Sequence, residues 1–437
     1  MTAPNGAILF NSTTGNGSDI TASGLGAANV YGSGASTTGS SAVVTGIDTT
    51  GVSSGDLLWV QSSSGRQFSI IATVDSSTQV TCDDVFANTE SGRTWAIGGK
   101  RASISGSVAS LDNWTADFKD DWTIQFESGY TETFTSRLRA RTGGFFRIQS
   151  DPNAAIKPKL TTSSDFIFGA GSGFLVKGIE FLKSSSGGTL CGHGSGGAIV
   201  FSECKFGDSS NLPSLAFGVY ANSIFDKCEF NASGEGIYSQ VSDLVSSGCV
   251  FNGGSKGMEF AYPSTGYFIT TSIFDGCTVG IYSGTSGGAT YYPKLIEGNI
   301  FKCVDAGIQI PANNSYRQRG MLCKSNIFLG SNYGIEFAAS TIPTTSLYSL
   351  YDSNAFYNIG TSNYLNDDGN TFNDINLTAD PFVDAANGNF QIDSNPGGGA
   401  LLRANNYALN TDTSLYPFRQ YVSDPFGGGG NVIVIEE

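Results

Sequence analysis

The chain has 437 residues and a formal net charge of −15, from 23 Lys and Arg against 38 Asp and Glu. That charge repels a phosphate backbone and excludes ordinary nucleic-acid binding, while 30 phenylalanines and 12% aromatic residues supply too much core material for a disordered chain. The longest apolar runs, such as Ala7-Ile-Leu-Phe10, fall far short of the roughly 20 residues that cross a bilayer as a helix, so no membrane span is expected.

Glycine reaches 58 residues, with only 14% charged residues and 12 prolines, the composition of a turn-rich fold. Residues 1–100 read as a small β-rich N-terminal module, a candidate particle anchor. Its start, Met1-Thr-Ala-Pro-Asn5, lacks the basic and apolar stretches of an export signal, so cytoplasmic synthesis is expected. Strands are predicted at Leu57-Leu-Trp-Val60, Phe68-Ser-Ile-Ile-Ala-Thr-Val74 and Gln79-Val-Thr-Cys82, with a hairpin turn at Asp75-Ser-Ser-Thr78. Next, Val108, Leu111, Trp114 and Phe118 predict a short amphipathic helix from about Ser107 that caps the following domain. Arg137, Arg139 and Arg141 alternate, with Arg147 further along. On a strand they share a face that suits an anionic sugar or, in so acidic a chain, pairing with acids of this or a neighbouring copy.

Residues 101–360 carry a repeat. Phenylalanines at 206, 230, 251, 274, 301, 328 and 356 are spaced 21 to 28 residues apart, about 25 on average. Six residues after five of them stands a glycine (Gly236, Gly257, Gly280, Gly307, Gly334), followed by Ile237, Met258, Ile281, Ile308 or Ile335. Two residues before each Phe the column reads Cys204, Cys228, Cys249, Ser272, Asn299, Asn326, Asn354, small groups suited to an internal ladder. This accounts for several of the eight cysteines as reduced packing residues; no C-x-x-C spacing points to zinc, and no metal or cofactor is expected. A period of this length with β-type segments, glycines at bends and no helical periodicity predicts a solenoid of about ten parallel coils.

The segments Ser272-Ile-Phe-Asp-Gly-Cys-Thr-Val-Gly-Ile-Tyr282, Asn299-Ile-Phe301 and Asn326-Ile-Phe328 resemble the right-handed parallel β-helix family, the pectate-lyase-like and phage tailspike-like proteins. The resemblance implies an all-β, right-handed parallel β-helix. In residues 361–437, Asp380-Pro-Phe-Val-Asp384 and Gly388-Asn-Phe-Gln-Ile392 resemble the closing segment of such helices. A Gly427-Gly-Gly-Gly430 tether and the Val432-Ile-Val-Ile435 strand then read as an element that docks on a neighbour or folds back on its own rod.

Eight residues after the repeat Phe stand Tyr238, Glu259, Tyr282, Gln309 and Glu336. Alternation turns them outward, as glycan-binding candidates: aromatic rings stack on sugars, and carboxylates and amides bond hydroxyls. Glu259 and Glu336 lie three coils apart, about 14 Å, too far for a pair of hydrolytic carboxylates at about 5–10 Å; Asp275 and Glu297 are left as partners from other columns. Gly192-His193-Gly194 and Asn410-Thr411-Asp412 resemble polygalacturonase motifs but stand in the reverse order, so His193 reads as a turn residue and no catalytic residue is assigned. Just before each Phe, Val250, Ile273, Ile300 and Ile327 are expected to face outward as a subunit-interface stripe, and the resemblance to phage tailspike-like proteins implies that the assembly is a parallel homotrimer.

The expected function is a structural and adhesive bacteriophage virion protein, tailspike-like or capsid-attached, that contacts host surface polysaccharide. Its other virion partners would be met through the N-terminal module or the C-terminal strand. The alternatives are a polysaccharide lyase or glycoside hydrolase acting on host surface glycan, and an extracellular bacterial cell-surface adhesin.

Overall fold

A computed structural model describes residues 7–10, 30–54, 56–63, 65–97, 100–101, 103–107, 111, 123–141, 145–169, 173–194, 197–240, 243–261, 266–283, 294–310, 321–337, 349–366 and 371–405. The protein is nearly all β, and its parallel strands stack as a solenoid with a small antiparallel module near the N-terminus. It divides into two compact units, residues 1–222 and 223–437.

In the first unit, Val30–Thr37, Ser41–Thr45, Leu57–Ser62, Gly65–Ser76, Gln79–Phe86 and Glu90–Ile97 close a six-stranded barrel. Alternation builds it: Val80, Cys82 and Phe86 turn in from one strand and join Val44, Leu58, Val60, Ile71 and Trp95 in one core. The predicted hairpin turn stands, with Ser77 and Thr78 between two of these strands. The barrel is an insertion. The strand before it, Ala7–Phe10, pairs in parallel with Lys100–Arg101 after it and with Thr123–Phe126 of the first coil. A short helix, Ile104–Ser107, has its first amides held by Glu132, which accepts from Ile104 N (2.7 Å) and Ser105 N (3.0 Å). The apolar positions expected to continue this helix at Val108, Trp114 and Phe118 lie outside the described residues. Four three-strand coils follow, from Thr123–Phe126 to Leu215–Val219, each in register with the next. Phe166, Phe168, Phe181, Phe201, Phe206 and Phe217 fill their interior, mostly edge to face.

The second unit contains six complete coils among the described residues, each with three strands. We name the three sheets by the first coil: first face Ser223–Asp226, second face Glu229–Asn231, third face Glu235–Ser239. Between first and second faces one residue per coil takes a left-handed backbone: Lys227, Gly248, Thr271, Gly298, Ser325 and Ser353, with φ from 49° to 65°. For the β-branched Thr271 that conformation is costly, and the ladder residue that follows in each coil holds the bend in place.

That ladder is hydrogen-bonded coil to coil. Each side chain accepts the backbone N–H of its predecessor: Cys249 N to Ser272 Oγ (3.2 Å), Ser272 N to Asn299 Oδ1 (2.8 Å), Asn299 N to Asn326 Oδ1 (3.0 Å) and Asn326 N to Asn354 Oδ1 (3.2 Å). Asp374 ends the series, accepting from Asn354 N at 2.6 Å. The asparagine amides also donate to the carbonyls of Ile269, Ile296 and Cys323, so these buried side chains are well satisfied. All eight cysteines are free and buried.

Beside the ladder, Phe230, Phe251, Phe274, Phe301, Phe328 and Phe356 form a continuous stack, with centroids 4.7–5.1 Å apart and planes within 10°. The repeat glycine makes room for it. A Cβ at Gly236 would lie 2.8 Å from Phe251 Cδ1, and one at Gly280 would lie 2.6 Å from Phe301 Cδ1.

The isoleucine column is not a subunit interface stripe. Ile273, Ile300 and Ile327 are at most 2% exposed, because the chain's own closing segment covers them. Phe382–Asp384 and Asn389–Ile392 form a hairpin, the helix Gly399–Ala404 follows, and Phe382, Ala385, Phe390 and Leu402 pack on the three isoleucines, Ala355 and Leu377. Val250, one coil earlier, is half-buried and lies outside that cluster. The resemblance to a closing segment holds, and intramolecular cover replaces the expected contact between copies. The C-terminal tether and strand at 427–435 lie outside the described residues.

Candidate functional site: an outward ladder on the third face

The five glycan-binding candidates stand side by side. Tyr238 pairs with Glu259, Glu259 with Tyr282, Tyr282 with Gln309 and Gln309 with Glu336, one per coil, all half-buried on the outer side of the third face. The residue after each buried Ile or Met is turned outward, as alternation requires. The next coil places Leu365 in the column, so the polar run ends at Glu336.

Contacts within the ladder fix its side chains. Gln309 Nε2 donates to Glu336 Oε2 at 2.6 Å, and Gln240 Nε2 donates to Tyr238 Oη at 3.3 Å. Lys256, which the sequence reading passed over, bonds Glu259 Oε2 at 2.6 Å and lies 4.2 Å from the centroid of the Tyr282 ring. It stands three residues before Glu259 in Lys256–Phe260, a spacing visible in the sequence once the coil register is known. The result is an outward row of two phenols, one amide and two carboxylates, each carboxylate held through one oxygen, with one ammonium among them.

The two carboxylates of the row do not form a close pair. Glu259 and Glu336 are three pairings apart, about 14 Å at the spacing of adjacent strands. The acids held in reserve as their partners stand on other faces. Asp275 is on the second face, paired with Lys302 at 2.8 Å, and Glu297 is on the first, paired with Lys324 at 2.8 Å. No group of three metal-ligating side chains occurs among the described residues. His193 is not a turn residue. It closes the strand Thr189–His193, is 1% exposed, and burial lowers its pKa to about 4, so it stays neutral in the interior. In the first unit Arg137 bonds Asp165 at 2.6 Å, an intramolecular pair.

A second outward column was missed. Six residues before each repeat Phe stand Ile224, Val245, Phe268, Leu295, Leu322 and Leu350, in register along the first face of the second unit. Ile224, Phe268 and Leu350 are 38–41% exposed. The column is legible in the sequence at a fixed offset from the Phe register.

No family model matches the sequence, and no curated sequence does. Among solved structures, the chain is similar to the catalytic unit of a thermostable GH87 α-1,3-glucanase from Streptomyces thermodiastaticus strain HF3-3, at 8% identity and a TM-score of 0.28, over 79% of this chain and 86% of that one. A GH87 α-1,3-glucanase catalytic domain in complex with nigerose gives 10% identity and a TM-score of 0.26, over 78% and 91%. The tailspike protein gp49 of Pseudomonas phage LKA1 gives 12% identity and a TM-score of 0.16, over 80% of this chain and 61% of that one. Likeness at this level carries no functional argument.

Proposed function

We propose that this protein is a structural and adhesive component of a bacteriophage particle that holds host surface polysaccharide on the third face of its solenoid. The observation that carries the reading is the ladder of Tyr238, Glu259, Tyr282, Gln309 and Glu336, in register and half-exposed. A phage origin is supported by the resemblance of the repeat to tailspike-like β-helices, and the inserted barrel offers a separate body for attachment to the particle. Binding is favoured over cleavage because the two carboxylates of the ladder, Glu259 and Glu336, stand three coils apart, about 14 Å, beyond the separation of hydrolytic pairs.

A side-by-side homotrimer belongs to the same proposal. Its support is now the first-face apolar column, since a contiguous apolar strip marks a contact surface. One sample tests both parts: light scattering of the purified protein, then incubation with host-type surface polysaccharide, retention on the immobilised polymer and an assay for new reducing ends. A trimer that is retained without new reducing ends is expected. New reducing ends would make the protein a depolymerase, and a monomer that is not retained would overturn the proposal.

A further inference from the structure

Resting on the glycan reading of the third face, we infer that its ligand is an uncharged, hydroxyl-rich glycan that lies along the solenoid axis with one sugar per coil over five coils. The direction follows from the register. Ladder residues from Tyr238 to Glu336 recur once per coil, at about 4.8 Å, a step comparable to the length one pyranose adds to an extended chain. A glycan along the axis therefore meets an equivalent position in each coil, whereas one lying across the face meets a single ladder residue.

The class follows from the hydrogen-bonding inventory. Glu259 and Glu336 each spend one oxygen inside the ladder, Oε2 on Lys256 and Oε2 on Gln309, which leaves Oε1 of each as an acceptor. Gln309 adds a carbonyl oxygen. The row thus offers three acceptors beyond its internal bonds, and a hydroxyl satisfies each by donating. A uronate carboxylate or a sulfate has no proton to give and would face acceptors. Charge points the same way: Glu235, Glu259 and Glu336 stand on this face, and the one ammonium of the ladder, Lys256, is already paired with Glu259 at 2.6 Å. An anionic polymer would meet unpaired negative charge, which costs affinity. Tyr238 keeps a phenol proton to donate, since its oxygen accepts from Gln240, and its ring offers an apolar face to a sugar. The length follows from the row itself: five polar residues in successive coils, from Tyr238 to Glu336, with Leu365 in that position in the next.

The test is calorimetric titration of the full chain with neutral gluco-oligosaccharides of two to eight sugars, α-1,3- and β-1,3-linked, and with galacturonic acid oligomers of the same lengths at low salt. Affinity in a neutral series is expected to rise with length and level off near five sugars. The uronic oligomers should bind at least about tenfold more weakly, and Glu259→Gln with Glu336→Gln should narrow that gap. Uronic oligomers that bind as tightly as neutral ones would overturn the assignment of class, and a plateau at two sugars would overturn the axial placement. Either result leaves glycan binding itself standing. If neither series binds and Tyr238→Ala does not change retention on whole polysaccharide, the glycan reading falls as well.

Discussion

His193 is the single histidine of the chain, so its titration is open to direct measurement. Burial lowers its pKa from 6.5 to about 4 in the folded state. A depressed value means that the folded protein binds fewer protons than the unfolded chain between those limits. The stability it contributes is fully present above pH 6.5 and is lost as pH falls toward 4, by about 3 kcal/mol in all. The imidazole resonance should therefore titrate near pH 4 by NMR, and His193→Gln should remove this part of the acid sensitivity. A resonance titrating at 6.5 would show the ring to be solvated. At the residue scale the sequence was a poor guide to this group, because the residues around it show no strand pattern of their own, while pairing with Phe168 and Val219 places His193 in the sheet.

The coil is built from paired requirements that the repeat displays openly. Phe, and a glycine six residues later, recur because the ring of one coil occupies the space where a Cβ on the preceding coil's glycine would stand. Gly280→Ala would press on Phe301 Cδ1 at 2.6 Å and on the Gly307 carbonyl oxygen at 2.5 Å, at an expected cost of about 1–3 kcal/mol. Combining it with Phe301→Leu should recover part of that loss, giving a favourable coupling in a double-mutant cycle read from urea midpoints. Strictly additive losses would mean that the ring and the glycine do not compete for space. The polar ladder was equally legible, since Ser272, Asn299, Asn326 and Asn354 share one offset from the Phe. Its donors and acceptors required the coordinates, as did the bend that demands positive φ at Thr271 and Ser325. The isoleucine column shows where offset reasoning stops. Ile273, Ile300 and Ile327 do face away from the coil interior, but a segment some 55 to 130 residues further along the chain covers them, and periodicity carries no information about such a return.

At the scale of the whole molecule, the parallel solenoid and its third-face column were legible because repetition multiplies a weak local signal over many coils. The barrel's insertion between Ala7–Phe10 and Lys100–Arg101 was not, since a four-residue strand far from its partner leaves no periodic trace. The three outward columns differ in what they present: the chain's own end covers the second face from Ile273 onward, the first carries apolar side chains, and the third carries Tyr238, Glu259, Tyr282, Gln309 and Glu336. The most direct measurement is hydroxyl-radical footprinting of the full chain with and without host-type surface polysaccharide. The expected result is reduced oxidation of Tyr238 and Tyr282 on adding the glycan, with Phe268 on the first face and Tyr220 in the first unit unchanged. Protection of Phe268 or Tyr220 with Tyr238 and Tyr282 unaffected would contradict a glycan site on the third face.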